Sequence, residues 1–179
     1  LVRGGRSSNN EHISLDQVKF NVKYYRAMLI RRDFARNGTI TRHLEQDLKC
    51  LELVKVDASK CCNLPTECAV YKTIRKIPRT VRFNFKDAVT YVGAIDGKAN
   101  IPIVESHTVQ WLPYDKYTKN KMKAYMIEDH LYVYNADGLK FINVRGIFED
   151  PEDLSKYDCD GSDCYDSESE FPIPMDMLQ

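Results

Sequence analysis

Six cysteines and four histidines are the side chains best suited to metal or nucleophilic chemistry in this 179-residue chain. Cys50, Cys61, Cys62, Cys68, Cys159 and Cys164 are spaced C-x10-C-C-x5-C and, far away, C-x4-C. A structural zinc site is usually assembled from short pairs such as C-x2-C, whose tight knuckle sets the tetrahedral angle. Cys62 with Cys68 and Cys159 with Cys164 supply four thiolates in principle, but the residues between them form no such knuckle. A cytosolic zinc protein built on Cys61, Cys62, Cys68, Cys159 and Cys164 is therefore the alternative reading, and free thiols the preferred one. The first residues, Leu1-Val2-Arg3-Gly4-Gly5-Arg6, lack the apolar core of a signal peptide. That points to a reducing compartment, where disulfides are disfavoured. His12, His43, His107 and His130 are scattered, and no H-E-x-x-H, G-x-S-x-G or Walker loop is present. The stretch Asp158–Asp163 resembles a calcium loop only at first sight. Counted from Asp158, its glycine falls at position 4 where an EF-hand needs position 6, and Ser169 stands where the bidentate Glu belongs. Asn37-Gly38-Thr39 matches a glycosylation sequon by chance, the glycine having a capping role instead. The residues thus predict no catalytic site, no metal and no cofactor.

Charge and aromatic content point to contact surfaces. Lys+Arg and Asp+Glu are both 26, yet residues 1–148 carry a net +10 (25 against 15) and residues 149–179 a net −10 (1 against 11). An acidic strip can be a solvated tail. It can also lie on the basic body of the next copy, a heterologous contact of the kind that closes rings. Tyr114, Lys116, Tyr117, Lys119, Lys121, Lys123 and Tyr125 interleave aromatics with cations, a mixture able to stack on and neutralise nucleic acid. No RNP, OB or helix-turn-helix pattern accompanies it, which favours an exposed β-loop.

The elements that must carry these residues follow from periodicity. Residues 1–12 are polar and read as an arm. Ser14 with Gln17 makes a capping box, and Leu15, Val18, Val22, Tyr25 and Leu29 recur at helical spacing. Arg31, Arg32 and Arg36 favour the negative end of the dipole, and Gly38 suits the C-terminal cap. One long helix is predicted over 14–36. Leu51, Leu53 and Val56 fit a strand whose period slips at Val54, and Cys61–Pro65 reads as a loop. Strands follow at 69–76, 81–85 and 89–95, a turn at Asp96-Gly97, and a strand at 101–111. A meander over 122–127, 131–134 and 141–147 turns at Glu128–His130 and Asn135–Gly138. The acidic end lacks periodicity, and Phe171–Gln179 predicts a C-terminal helix that begins after Pro174 and continues past Gln179. Together with a first residue other than Met, this predicts that the sequence is a fragment. The division is an arm and helix at 1–48, a β-rich domain at 49–148 and an acidic tail at 149–179. The fold class is α+β.

The length suits one domain, and the 43% hydrophobic and 29% charged content places it with ordinary soluble globular chains. No apolar run approaches the ~20 residues of a membrane span. Several stretches are more particular: Arg31-Arg-Asp-Phe-Ala-Arg-Asn-Gly38, Glu45-Gln-Asp-Leu48 followed by Cys61-Cys62, Lys76-Ile-Pro-Arg-Thr80 and Val144-Arg-Gly-Ile-Phe-Glu-Asp-Pro151. Through them the chain, from about residue 5 to 179, resembles the neck ring (adaptor) proteins of crAss-like bacteriophages. The resemblance implies a non-enzymatic virion protein, made in the host cytoplasm and placed in the neck at the portal vertex. It implies a twelve-fold ring that docks under the portal, meets an adjacent tail or second ring protein, and contacts DNA in its lumen only non-specifically. It also implies a helical bundle carrying a β-rich insertion, with arms that order and become protected from protease on assembly.

Overall fold

The computed structural model describes residues 14–39, 41–56, 70–83, 86–159, 162–163 and 171–174. Helix α1 spans Leu15–Asn37. The Ser14 hydroxyl accepts from the Gln17 N–H at 3.2 Å, and Gly38, at φ 65°, closes the other end by donating its N–H to the Phe34 carbonyl. Only glycine enters that left-handed region without a Cβ penalty.

The strands are β1 (Gln46–Lys55), β2 (Val70–Thr73), β3 (Arg82–Phe83), β4 (Lys86–Asp87), β5 (Val89–Ala94), β6 (Lys123–Ile127), β7 (His130–Tyr134), β8 (Phe141–Gly146), β9 (Asp158–Cys159) and β10 (Ser162–Asp163). Six of them form one antiparallel sheet in the order β5-β8-β1-β2-β7-β6. β3 with β4 and β9 with β10 are two-residue hairpins. The predicted turns are in place: Glu128 and Asp129 both take positive φ, as do Asn135 and Gly138, the signature of tight hairpin and loop turns.

The two edges of the sheet meet. After the Asp96-Gly97 turn, Ile101 donates its N–H to Val92 of β5 at 2.8 Å. Three residues on, Val104 donates to Ala124 of β6, and Ala124 donates to Pro102. Segment 99–104 therefore bridges β5 to β6 and closes the sheet into a barrel, which removes its free edges. Leu48, Leu51, Leu53, Val92, Ile101, Ala124, Leu131, Val133, Ile142 and Val144 fill the interior, with Ile77, Phe148 and Leu154 completing the core.

Four expectations change. The meander expected over 122–127, 131–134 and 141–147 does not form: β6 pairs with β7, but β7 goes on to β2, and β8 lies between β5 and β1. The slip in β1 falls at Cys50 and not at Val54: the register to β8 shifts between Leu48 and Leu51, and Cys50 takes φ 58° with its N–H on the Asn143 side-chain oxygen. This bulge bends one strand so that it pairs with β8 through its first half and β2 through its second. The strand expected over 101–111 is a short bridging segment followed by a 3₁₀ helix, Ser106–Tyr114. Pro102 lacks the N–H a longer ladder needs. The acidic end, read as aperiodic, holds a 3₁₀ helix at Pro151–Lys156, capped by Asp150 and started by Pro151 at its first position. Cys61, Cys62, Cys68, Cys164, the loop at 61–65, the arm at 1–12 and the helix expected after Pro174 lie outside the described residues.

Candidate assembly surfaces

α1 is the first surface. The stripe Leu15, Val18, Val22, Tyr25 and Leu29 would be expected to face the core. The structure turns most of it outward: Leu15 is 70% exposed, Val22 44% and Tyr25 54%. The face that packs is Arg26, Ile30 and Asp33, flanked by Ala27 and Phe34. Ile30 and Phe34 meet Leu44, Val81, Phe83, Ala88 and Ile147, with the Phe34 and Phe83 rings 4.3 Å apart. This apolar footing is small. Polar anchors complete it.

Arg26 is 1% exposed. Its guanidinium donates to the Phe148 carbonyl at 2.6 Å and to the Pro172 carbonyl at 2.7 Å, and lies over the Phe171 ring. One side chain thereby ties α1, the chain after β8 and the segment at 171–174 together. Lys23 meets Asp150 at 2.5 Å and Glu152 at 3.0 Å, and Arg31 meets Glu149 at 3.3 Å. Burial works against the Lys23 charge, but hydrogen bonds and attraction from the two carboxylates outweigh it and hold its pKa above the usual 10.5. Held down by these contacts, α1 shows solvent a row of large side chains, with Phe20 stacked on Tyr24 and Tyr24 edge-on to Tyr25. Apolar rows of this size mark interaction sites.

The second surface is built on the other end of β1. Leu44, just before β1, belongs to the cluster under α1. Val56, just after it, belongs to a cluster of Val70, Leu112, Tyr125 and Tyr134. Ten strand residues, about 33 Å of chain, lie between. Above this second cluster Trp111 is 65% exposed and Tyr114 and Tyr117 are each 81% exposed. Asp115 shapes the following turn. Its carboxylate accepts from the Thr118 hydroxyl and from the Tyr117 N–H, and these bonds hold its pKa below the ordinary value against a small desolvation effect. The turn presents Lys116, Lys119 and Lys121 to solvent, and the Asn135 amide fastens it by donating to the Lys119 carbonyl at 2.6 Å.

Among the described residues the chemistry-bearing side chains do not converge. Cys50 sits alone in the β1 bulge, and the Cys159 side chain is outside the described residues. His130 packs its Nδ1 2.9 Å from the Thr73 carbonyl, a structural bond that makes this nitrogen the donor. His43 lies in the 3₁₀ turn before β1, and His107 faces Glu105 at 3.4 Å on the surface. An open groove of about 870 Å³ runs beside β5. Its carboxylates are already engaged, Asp87 by Arg82 and Glu105 by His107. Among the described residues no group of three or more His, Cys, Asp and Glu could hold a metal, and no helix is long and apolar enough to cross a membrane. The buried Arg26 and the exposed stripe were missed by periodicity, which assigns Arg to solvent and Val, Leu and Tyr to the core.

The described residues thus show two exposed surfaces on a small closed barrel, the large side chains of α1 and the aromatic, lysine-bearing segment at 111–121. The family model described as phage tail ring protein 2 matches residues 1–179, and the chain belongs to that family of crAss-like phage ring proteins. It is a structural ring protein of the virion. No curated protein matches it.

Proposed function

We propose that this ring protein is a head–tail connector subunit. Copies close into a ring, twelve in number as in the proteins it resembles, dock under the portal and offer a platform to the next tail protein. DNA passes through the lumen with non-specific contact only, and the protein works without a cofactor as a non-enzyme. In this reading the arm and helix of 1–48 make contacts between subunits, the β-rich part of 49–148 is the rigid body, and within the acidic tail of 149–179 the stretch not held by α1 reaches a neighbour.

The observation that carries the reading is the outward apolar face of α1. A heterologous ring needs two different surfaces on every subunit, one facing forward and one back. The buried clusters beneath the α1 row and beneath the aromatic surface include Leu44 and Val56, which flank β1 on either side. Native mass spectrometry of the full-length protein, alone and with its portal, tests this. A closed ring or a stoichiometric portal complex is the expected result. A persistent monomer indifferent to the portal sinks the proposal, and bound stoichiometric zinc in that monomer would turn attention to the cysteines.

A further inference from the structure

We infer that the surface formed by Trp111, Tyr114, Lys116, Tyr117, Lys119 and Lys121 receives the acidic stretch 158–170 of the neighbouring copy. This rests on the ring reading above and specifies one of its contacts.

The first argument is exposure. The chain's single tryptophan and two tyrosines stand mostly in solvent, on a turn whose backbone is fastened by Asp115 and Asn135. Rigid aromatics bind at low entropic cost, and they are enriched at interface hot spots. The second argument is charge. Residues 114–123 contain four lysines against the single carboxylate Asp115, a net +3. Among the described residues, Lys116, Lys119 and Lys121 make no ion pair. The acidic tail divides in two. Its first four acids are already engaged: Glu149 with Arg31, Asp150 and Glu152 with Lys23, and Asp153 with Lys156. The stretch 158–170 then holds six carboxylates and no Lys or Arg.

The third argument is position. The chain on either side of this stretch is anchored away from the aromatic surface. Before it, Tyr157 donates its hydroxyl to the Lys76 carbonyl, and β2 separates Lys76 from Val70, the residue under the aromatic surface. After it, Pro172 is held by Arg26 on α1, at the far end of β1. A head-to-tail neighbour sets the α1 end of one copy against the aromatic end of the next, and so brings acid to base. Nucleic acid is the competing occupant. The body's +10 and the tail's −10 cancel within the chain, the balance of a surface satisfied by its own kind.

Carbodiimide crosslinking of rings assembled from equal amounts of nitrogen-14 and nitrogen-15 chains tests the contact. Mixed-isotope links from Lys116, Lys119 or Lys121 to carboxylates of 158–170 are expected. The triple variant K116E/K119E/K121E should weaken ring assembly at least about tenfold at about 0.15 M salt, and D163K/D166K/E168K on the same chain should restore it. Rings that form without these links overturn the docking and leave the ring reading standing. Links within single isotopes only assign the acidic stretch to its own chain and overturn the docking as well. A triple variant that keeps its rings but loses duplex DNA binding gives the surface to nucleic acid. A wild-type chain that never assembles, with its portal present, sinks the ring reading and this contact together.

Discussion

Arg26 shows how much a single side chain can hide from a hydropathy pattern. Between Tyr25 and Ala27 it reads as one more surface cation, yet it is buried and organises three segments through carbonyls at 148 and 172. Replacing it with methionine keeps much of the volume and leaves those acceptors without their donor. A buried unsatisfied group costs about 1–3 kcal/mol, so R26M should lose about 2–4 kcal/mol in all. For a domain of this size that lowers Tm by roughly 5–15 °C, measurable by circular dichroism. R26K should not restore it, because an ammonium cannot span two carbonyls in the plane of a guanidinium fork. An unchanged Tm in R26M would remove Arg26 from the list of structural anchors.

At the scale of the element, α1 has its polarity arranged for two solvents. Its inner face is short and partly ionic, and its outer side sets Leu15, Val18, Phe20, Val22, Tyr24, Tyr25 and Met28 among exposed polar residues. The two faces should therefore respond oppositely to substitution. Ile30→Ala opens a cavity in the cluster beneath the helix and should cost about 2–5 kcal/mol in urea denaturation. Val22→Glu on the outer face should leave the monomer within about 0.5 kcal/mol of wild type while abolishing rings in mass photometry. Rings that survive V22E would show that this face meets no neighbour. The Lys23 ion pairs add a pH dependence with a definite sign. Its folded pKa is raised above 10.5, so the stabilisation is full below 10.5 and is lost as pH rises through the raised value. Lys23→Met should thus cost about 1 kcal/mol or less at neutral pH, and the gap to wild type should close above pH 10.5. A gap that stays constant at high pH would place the effect in packing instead.

The whole molecule depends on a closure made by residues outside the six sheet strands. Segment 99–104 joins β5 to β6 through single hydrogen bonds at Ile101, Val104 and Ala124. Hydrogen exchange should find the Ile101 and Val104 amides as slow as those of β7, and free-loop exchange there would mean the barrel is open. How far the sequence discloses this architecture differs by element. α1 and its caps are legible because Ser14 and Gly38 act within one turn of the residues they cap. The β6–β7 hairpin is legible because its strands alternate and its turn carries the right residues, but β8 leaves the expected meander because its partners, β1 and β5, are distant in sequence. Segment 101–111 is not, since its apolar residues satisfy a strand period while Pro102 and the partner at Ala124 set where pairing stops.

The sequence by itself determined the long helix, the β6–β7 hairpin, the opposed charges of body and tail, and the kinship with phage ring proteins. Each of these is local in the chain or additive over it. Only the tertiary structure decided which face of α1 is covered, where β1 bends, and that β5 and β6 are brought together. Those outcomes hang on partners far apart in sequence: carbonyls at 148 and 172 that draw Arg26 inward, Asn143 that receives the Cys50 amide, and Ala124 that meets Pro102 and Val104. Periodicity reports how apolar a face is. Burial is assigned by what that face finds, and among the described residues the large side chains on the outer side of α1 find no cover.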